Sequence, residues 1–370
     1  MGILSLRPRS LCGLGLLSAA IISVSTRPVV AQGCVAIRGT GMAHMEQFAK
    51  PADADLTSGE WLASVGFRWF QSDRHFVGDV DQHRDDIGNQ VINDSYFWDL
   101  SMQYAFTPRG SISLTIPFVY STRSSLYEHN RVNRYSSSAG GIGDTQLMPA
   151  VWLWDPSKMP KGNIQIGIGM SAPSGDYQAT DTFISAAGPV TGYVDQSIQP
   201  GTGGWGIVNS VVAFRELLPR LTGFVNGVYL MNPGDVNGTP TTTGTSRRNP
   251  YEQVMSIPDQ YFGQGGFMYT VVPKWGLALG VGARIDGVPA EDVFGDSNGF
   301  RRPGYAISVE PLLQWSHGRF TFSVAVPIAV YRNRTQSVAD ERWTADTGIY
   351  RHGDAAFADI SVISNLAASF

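Results

Sequence analysis

Arg68, Asp99, Gln103, Arg284, Asp286, Glu310 and Asp359 are the polar side chains of this chain with the clearest pattern, each set into a stretch where apolar and polar residues alternate. Charges spaced this way suit a ring lining a water-filled passage, where they tune which solutes enter. Other constellations are weaker. His83 with Asp85 and Asp86, or His352 with Asp354, has the residue types of a hydrolase rim, but no nucleophile signature accompanies either. Asp79, Asp81, Asp85 and Asp86 offer oxygen ligands for Ca²⁺, yet the loop lacks the Gly and terminal Glu of an EF-hand. Among the six histidines there is no HExxH or paired spacing, and CxxC is absent, so no metal site is expected. The glycines of 140–144 and 201–205 lack the Lys and the following helix of a phosphate-binding loop. No cofactor and no enzyme activity are expected.

The elements that must carry the polar residues follow a period of two. In 60–71, Trp61, Ala63, Val65, Phe67 and Trp69 share one face, with Ser64, Gly66 and Arg68 on the other. In 95–106, Trp98, Leu100, Met102, Tyr104 and Phe106 oppose Asp99, Ser101, Gln103 and Ala105. Similar stretches lie at 111–123, 144–154, 163–172, 204–214, 221–231, 260–271, 275–286, 304–315, 319–331 and 355–370. Around Val151, Val208 and Val225 the alternation is poor and assigns no face. Short turns rich in Pro and Gly, such as 107–110 and 272–274, alternate with long polar connections. The sequence therefore predicts an all-β, antiparallel transmembrane β-barrel of about 12 strands, with short periplasmic turns and long extracellular loops. A dry soluble core would have to bury Arg68, Asp99, Arg284, Asp286, Glu310 and Asp359, which is costly, whereas a wet lumen accepts them. A β-propeller repeat would need four strands where two fit.

Charged residues make up only 16% of the chain and net charge is −4, which excludes the basic stripe of a nucleic-acid binder. Arg7 and Arg9, the apolar run 11–24 and Val29-Val30-Ala31 read as a signal peptide over 1–31. An N-terminal extension, 32–58, precedes the barrel, 59–370. Of the two cysteines, Cys12 leaves with the signal, and Cys34 is expected to be a free thiol rather than a lipid anchor. Trp61, Trp69, Tyr96, Trp98, Trp154, Trp275 and Trp315 stand near strand ends, as interfacial girdles do. Phe370 ends the last strand, where barrel-assembly machinery reads its substrates.

Gly141 and Gly143 lead into Asp144 at the fourth strand, Pro173, Gly175 and Asp176 follow the fifth, and Gly204 and Trp205 open the sixth. In this order the three clusters resemble the outer-membrane family named for the MetA pathway of phenol degradation. The resemblance implies a porin-like barrel of the bacterial outer membrane that transports aromatic or hydrophobic compounds. By themselves, the glycines and aspartates read first as turn chemistry, and secondly as a polar mouth that selects solutes. The expected function is an outer-membrane channel for small hydrophobic or aromatic solutes, passive and through a polar-lined lumen. The apolar loop segment 183–194 is expected to fold inward as a constriction. The alternatives are a non-conducting adhesion barrel acting through its loops and, third, a barrel hydrolase. Expected partners are outer-membrane lipid, the solute and the assembly machinery; the residues fix no oligomeric state.

Overall fold

The structure, a computed structural model, describes residues 48, 56–242 and 247–370. The signal peptide 1–31 and nearly all of 32–58 lie outside the described residues. The chain forms a closed antiparallel barrel of 12 strands. They are β1 (Trp61–Val77), β2 (Ile92–Ala105), β3 (Gly110–Ser125), β4 (Tyr135–Ile142 and Thr145–Trp152), β5 (Gly162–Ala172) and β6 (Gly206–Leu218). After these come β7 (Leu221–Met231), β8 (Gln260–Val272), β9 (Leu277–Val288), β10 (Gly304–His317), β11 (Phe320–Ala325 and Ile328–Asn333) and β12 (Ala355–Ser369). Each pairs with its sequence neighbour, and β12 returns to β1 in a register running from Leu62↔Ser369 to Phe76↔Ala355. Trp61 and Phe370 exchange both backbone hydrogen bonds at the lower end of this seam, at 2.8 and 2.9 Å. Closure leaves the barrel with no free edge.

Alternation sets the two faces. Trp61, Val65, Trp98, Leu100, Leu114, Ile168, Phe267 and Leu366 are exposed on the outside, where lipid covers them. Tight turns close the periplasmic end, and one of them requires glycine. Gly276 has φ +64, and a Cβ there would stand 1.7 Å from the Ser316 carbonyl oxygen.

Two strands are interrupted. β4 breaks at Gly143 and Asp144; its upper piece pairs with β3 from Phe118↔Ile142 to Ser125↔Tyr135. The Ser/Gly-rich upper piece carries no apolar alternation, so the sequence marks it as loop. β11 breaks at Val326 and Pro327, and its upper piece meets β12 through the single pair Ile328↔Ile360. Pro327 has no N–H to donate, so the ladder stops there. One helix, α1 (Val338–Thr347), sits in the last long loop and is closed at its start by a capping box between Ser337 and Asp340.

Candidate functional site

The lumen has polar and apolar stretches of wall side by side, and a charged cap. Asp99, Gln103, Arg284, Glu310 and Gln314 are buried from the outside and stand on the inner register, Gln103 and Gln314 near the periplasmic turns and the others higher up. The Gln103 amide donates to the Ser111 hydroxyl at 2.9 Å, and Arg284 Nε donates to Asp286 at 3.0 Å. Arg68 lies over the Phe97 ring at 4.2 Å and Arg284 over Phe262 at 4.6 Å. Asp359 accepts from Arg74 at 3.2 Å and also pairs with Arg332. Four of the seven residues singled out in the sequence, Arg68, Arg284, Asp286 and Asp359, line one cavity of about 60 Å³. Asp99, Gln103 and Glu310 do not line it. Pro327, Ala329 and Ile360 also border this cavity, which places it against the β11 interruption in the wall.

Polar residues line the inner wall down to its periplasmic end, among them Ser64, Ser111, Ser113, Asn163, Ser323 and Asn365, and an apolar strip runs beside them. Met148, Trp152, Val212, Phe214, Phe224, Val228, Met268, Leu312 and Ile363 form one buried apolar cluster. This strip accounts for the poor alternation around Val151, Val208 and Val225. Val208 points in, Val151 and Val225 point out, and both faces are apolar where the strip runs. Phe48 sits against the strip with none of its surface exposed, 5.3 Å from the Phe224 ring between centroids. Its N–H donates to Gln314 Oε1 at 2.7 Å. A lone aromatic outside any strand has no periodicity to announce such a seat.

The cap is built from ion pairs reaching across the barrel mouth. Asp195, which caps the short turn Gln196–Ile198, accepts from Arg302 at 2.6 Å and lies 3.8 Å from Arg123. Arg123 belongs to β3 and Arg302 precedes β10, so Asp195 ties opposite walls together. Burial opposes the charge of Asp195, but Arg123 and Arg302 outweigh it and hold the carboxyl well below the usual carboxylate range. Arg301 pairs with Asp292 at 2.6 Å, both fully buried. Arg247 and Arg302 stack on the Phe300 ring at 3.8 and 4.4 Å, and burial pushes Arg247 down to about 10.

Most of segment 183–194 forms a hairpin on the extracellular rim. Thr180–Ser185 and Gly188–Tyr193 pair as a hairpin; Val190 is exposed, and Val194 just after it is buried against Ile198 and Ala139. Asp181 accepts from the Ser138 N–H at 2.7 Å, and His129 Nδ1 accepts from the Ile184 N–H at 3.1 Å, so the hairpin extends the upper wall. Asp195 to Gln199, just after it, lie buried at the mouth, with Ile198 packed on Val194.

The three glycine-aspartate clusters meet at one knot on the extracellular rim. Asp144 accepts from the Gly175 N–H at 3.1 Å, the Thr202 N–H at 2.8 Å and the Thr202 hydroxyl at 2.6 Å. The Gly201 N–H donates to the Asp176 carbonyl at 2.9 Å, and the Ser174 hydroxyl to Gly143 at 2.9 Å. A Cβ on Gly201 would come within 2.3 Å of the Gly175 oxygen, and one on Gly204 within 2.7 Å of Ile257. Gly141 and Pro173 flank the knot, and Trp205 points outward and exposed.

His83, Asp85 and Asp86 bring their ligand atoms within 4.8 Å of one another, all three exposed. His352 Nε2 lies 2.6 Å from the Arg334 carbonyl and is not the partner of Asp354. That carboxylate instead faces buried His75 at 3.3 Å and Arg84 at 2.9 Å. His75 Nε2 accepts from the Val91 N–H at 2.9 Å, which leaves Nδ1 facing Asp354.

No protein-family model and no curated protein matches the chain. Among solved structures, it is similar to an outer-membrane channel from Pseudomonas putida F1. The TM-score is 0.54 at 12% identity, over 85% of this chain and 97% of that one. This likeness shows the fold. The Pseudomonas putida toluene transporter TodX aligns with a TM-score of 0.41 at 9% identity, over 92% of this chain and 100% of that one. The translocator domain of the autotransporter NalP from Neisseria meningitidis aligns with 0.41 at 9% identity, over 85% and 90%.

Proposed function

We propose that the barrel is a bacterial outer-membrane channel that passes small hydrophobic or aromatic solutes by diffusion. The observation that carries this reading is an apolar strip along the lumen wall, from Val208 and Leu230 near the extracellular rim to Trp152 and Phe214 near the periplasmic turns. A hydrophilic pore has no use for such a strip, because a polar solute is dehydrated without compensation against Trp152, Phe214 and Phe224. An aromatic solute loses nothing there and gains ring contacts. In this reading the charged cap admits solute from outside. The inner-facing residues Arg68, Asp99, Gln103, Arg284, Asp286, Glu310 and Asp359 keep the lumen wet, and Phe48 closes the passage beside the apolar strip at rest. The glycine-aspartate knot holds the rim in shape. Export with removal of 1–31, membership of the MetA-pathway family and recognition of Phe370 by the assembly machinery belong to the same proposal. Phe370 is suited to that role because its side chain is exposed on the outer face.

The test is uptake by proteoliposomes of a radiolabelled monoaromatic hydrocarbon, a phenol and a pentose of similar size. The channel reading expects the two aromatics to enter faster than through protein-free vesicles and the pentose to lag. Equal rates with and without protein for all three would sink it. That result would favour the adhesion barrel, to which the sealed mouth and occupied strip lend some support.

A further inference from the structure

On the outside of the wall, near the periplasmic end, β5 to β8 leave an apolar groove of about 790 Å³. Trp154, Ile164, Leu217, Val225 and Phe267 wall it, and Gly223 lies in its floor. One charge faces this groove. Arg215 is exposed on the outward register of β6, opposite Gly162 of β5, with Leu217 exposed two residues nearer the periplasm. The outward charges Asp73 and Asp94 lie at the other, extracellular end of their strands. Arg215 makes no ion pair or hydrogen bond among the described residues, whereas its neighbour Glu216 is taken by Lys161 at 3.1 Å. The Arg215 stem runs sideways: its Cδ stands 2.6 Å from where a Cβ on Gly162 would be. Its guanidinium is thus laid along the wall and over the groove.

An arginine at this depth without a carboxylate needs an anion from outside the protein, and the surrounding medium supplies one as phosphate. We propose that the groove is a phospholipid site of the periplasmic leaflet, with one acyl chain along Leu217, Val225 and Phe267 and the headgroup phosphate on Arg215. Trp154, exposed at the end of β4, stands at headgroup level as interfacial tryptophans do. The lipid would seal the wall where small residues leave it thin. The proposal is independent of the transport reading, because the residues assigned to the lipid, Arg215, Leu217, Gly223, Val225 and Phe267, stand on the outward register.

Native mass spectrometry of the full-length protein tests it, after reconstitution into phosphatidylethanolamine and phosphatidylglycerol bilayers and extraction in mild detergent. One phospholipid retained per wild-type barrel is expected. Arg215→Gln lowers occupancy about fivefold, the worth of one interfacial cation. Gly223→Leu fills the groove, since a side chain there first meets the end of Leu217 at 3.1 Å, and lowers occupancy about tenfold. Both variants point outward and fold, which the gel shift of an unheated sample verifies. No retained lipid on the wild type, or equal retention by all three proteins, overturns the proposal. A dimer mass that disappears in Gly223→Leu also overturns it and assigns the groove to a second copy of the chain.

Discussion

Replacing Phe48 by Ala isolates the closed state of the passage. The ring is wholly buried, touches Phe224 and belongs to the largest apolar cluster among the described residues. Burying a Phe side chain is worth roughly 1.5–3 kcal/mol, and the substitution forfeits most of that without touching any strand. If Phe48 leaves its seat in a two-state equilibrium, the open fraction rises roughly ten- to hundredfold. The N–H bond to Gln314 survives in Phe48→Ala, so the seat is weakened and not abolished. Gln314→Leu removes that acceptor and is expected to shift the balance less, by about 1 kcal/mol. Planar-bilayer recording reads the outcome directly. Wild-type traces should be mostly closed with rare openings, and Phe48→Ala should open far more often at the same unit conductance. An unchanged open probability refutes the reasoning, because it means that the current does not pass Phe48.

The cap, the rim knot and a turn give further expectations. Asp195 titrates lower in the folded state than in the unfolded chain, so its stabilising charge is complete above the ordinary carboxylate value. It is lost as pH falls through the lower folded value, so the mouth should stay tied at neutral pH and loosen only below about pH 4. Current noise should rise over that window in the wild type, and in Asp195→Asn it should be high already at neutral pH. Asp144→Ala strands the buried N–H groups of Gly175 and Thr202, at about 1–3 kcal/mol per orphaned donor. The temperature at which the barrel loses its compact gel mobility should drop by several degrees, and an unshifted value would exclude the knot as a structural clasp. Gly276→Ala should sharply reduce the yield of folded barrel, because the new Cβ meets the Ser316 carbonyl. Gly318→Ala, at φ +60 in open space, should cost only about 1 kcal/mol; equal yields would refute the steric account.

The barrel was legible because alternation is a one-dimensional signal. Strands such as β2, with Trp98 out and Asp99 in, announce both their type and their faces. The signal failed where physics removed the contrast. Val208 and Val225 sit on opposite faces that are both apolar, and the upper half of β4 is a Ser/Gly ladder with no apolar face. Helix α1 was written in the chain as Ser337 and Asp340, a capping pair three apart, but its surroundings read as loop. At the site, the inner-facing charges could be placed on a face one by one. Their grouping could not, since Arg68, Arg284 and Asp359 belong to three strands and meet only through closure. The cap was illegible for the same reason: Asp195 finds Arg302 across 107 residues.

The seam between β1 and β12 also fixes the order of events during assembly. Leu62 pairs with Ser369, nearly the whole barrel apart in sequence, so this ladder closes the longest loop in the molecule. Until Phe370 is in place, the nascent sheet exposes two unpaired rims and an apolar exterior, a species prone to stick to its own kind. A chain truncated by one strand is therefore predicted to be a persistent aggregation hazard, and not merely a smaller pore.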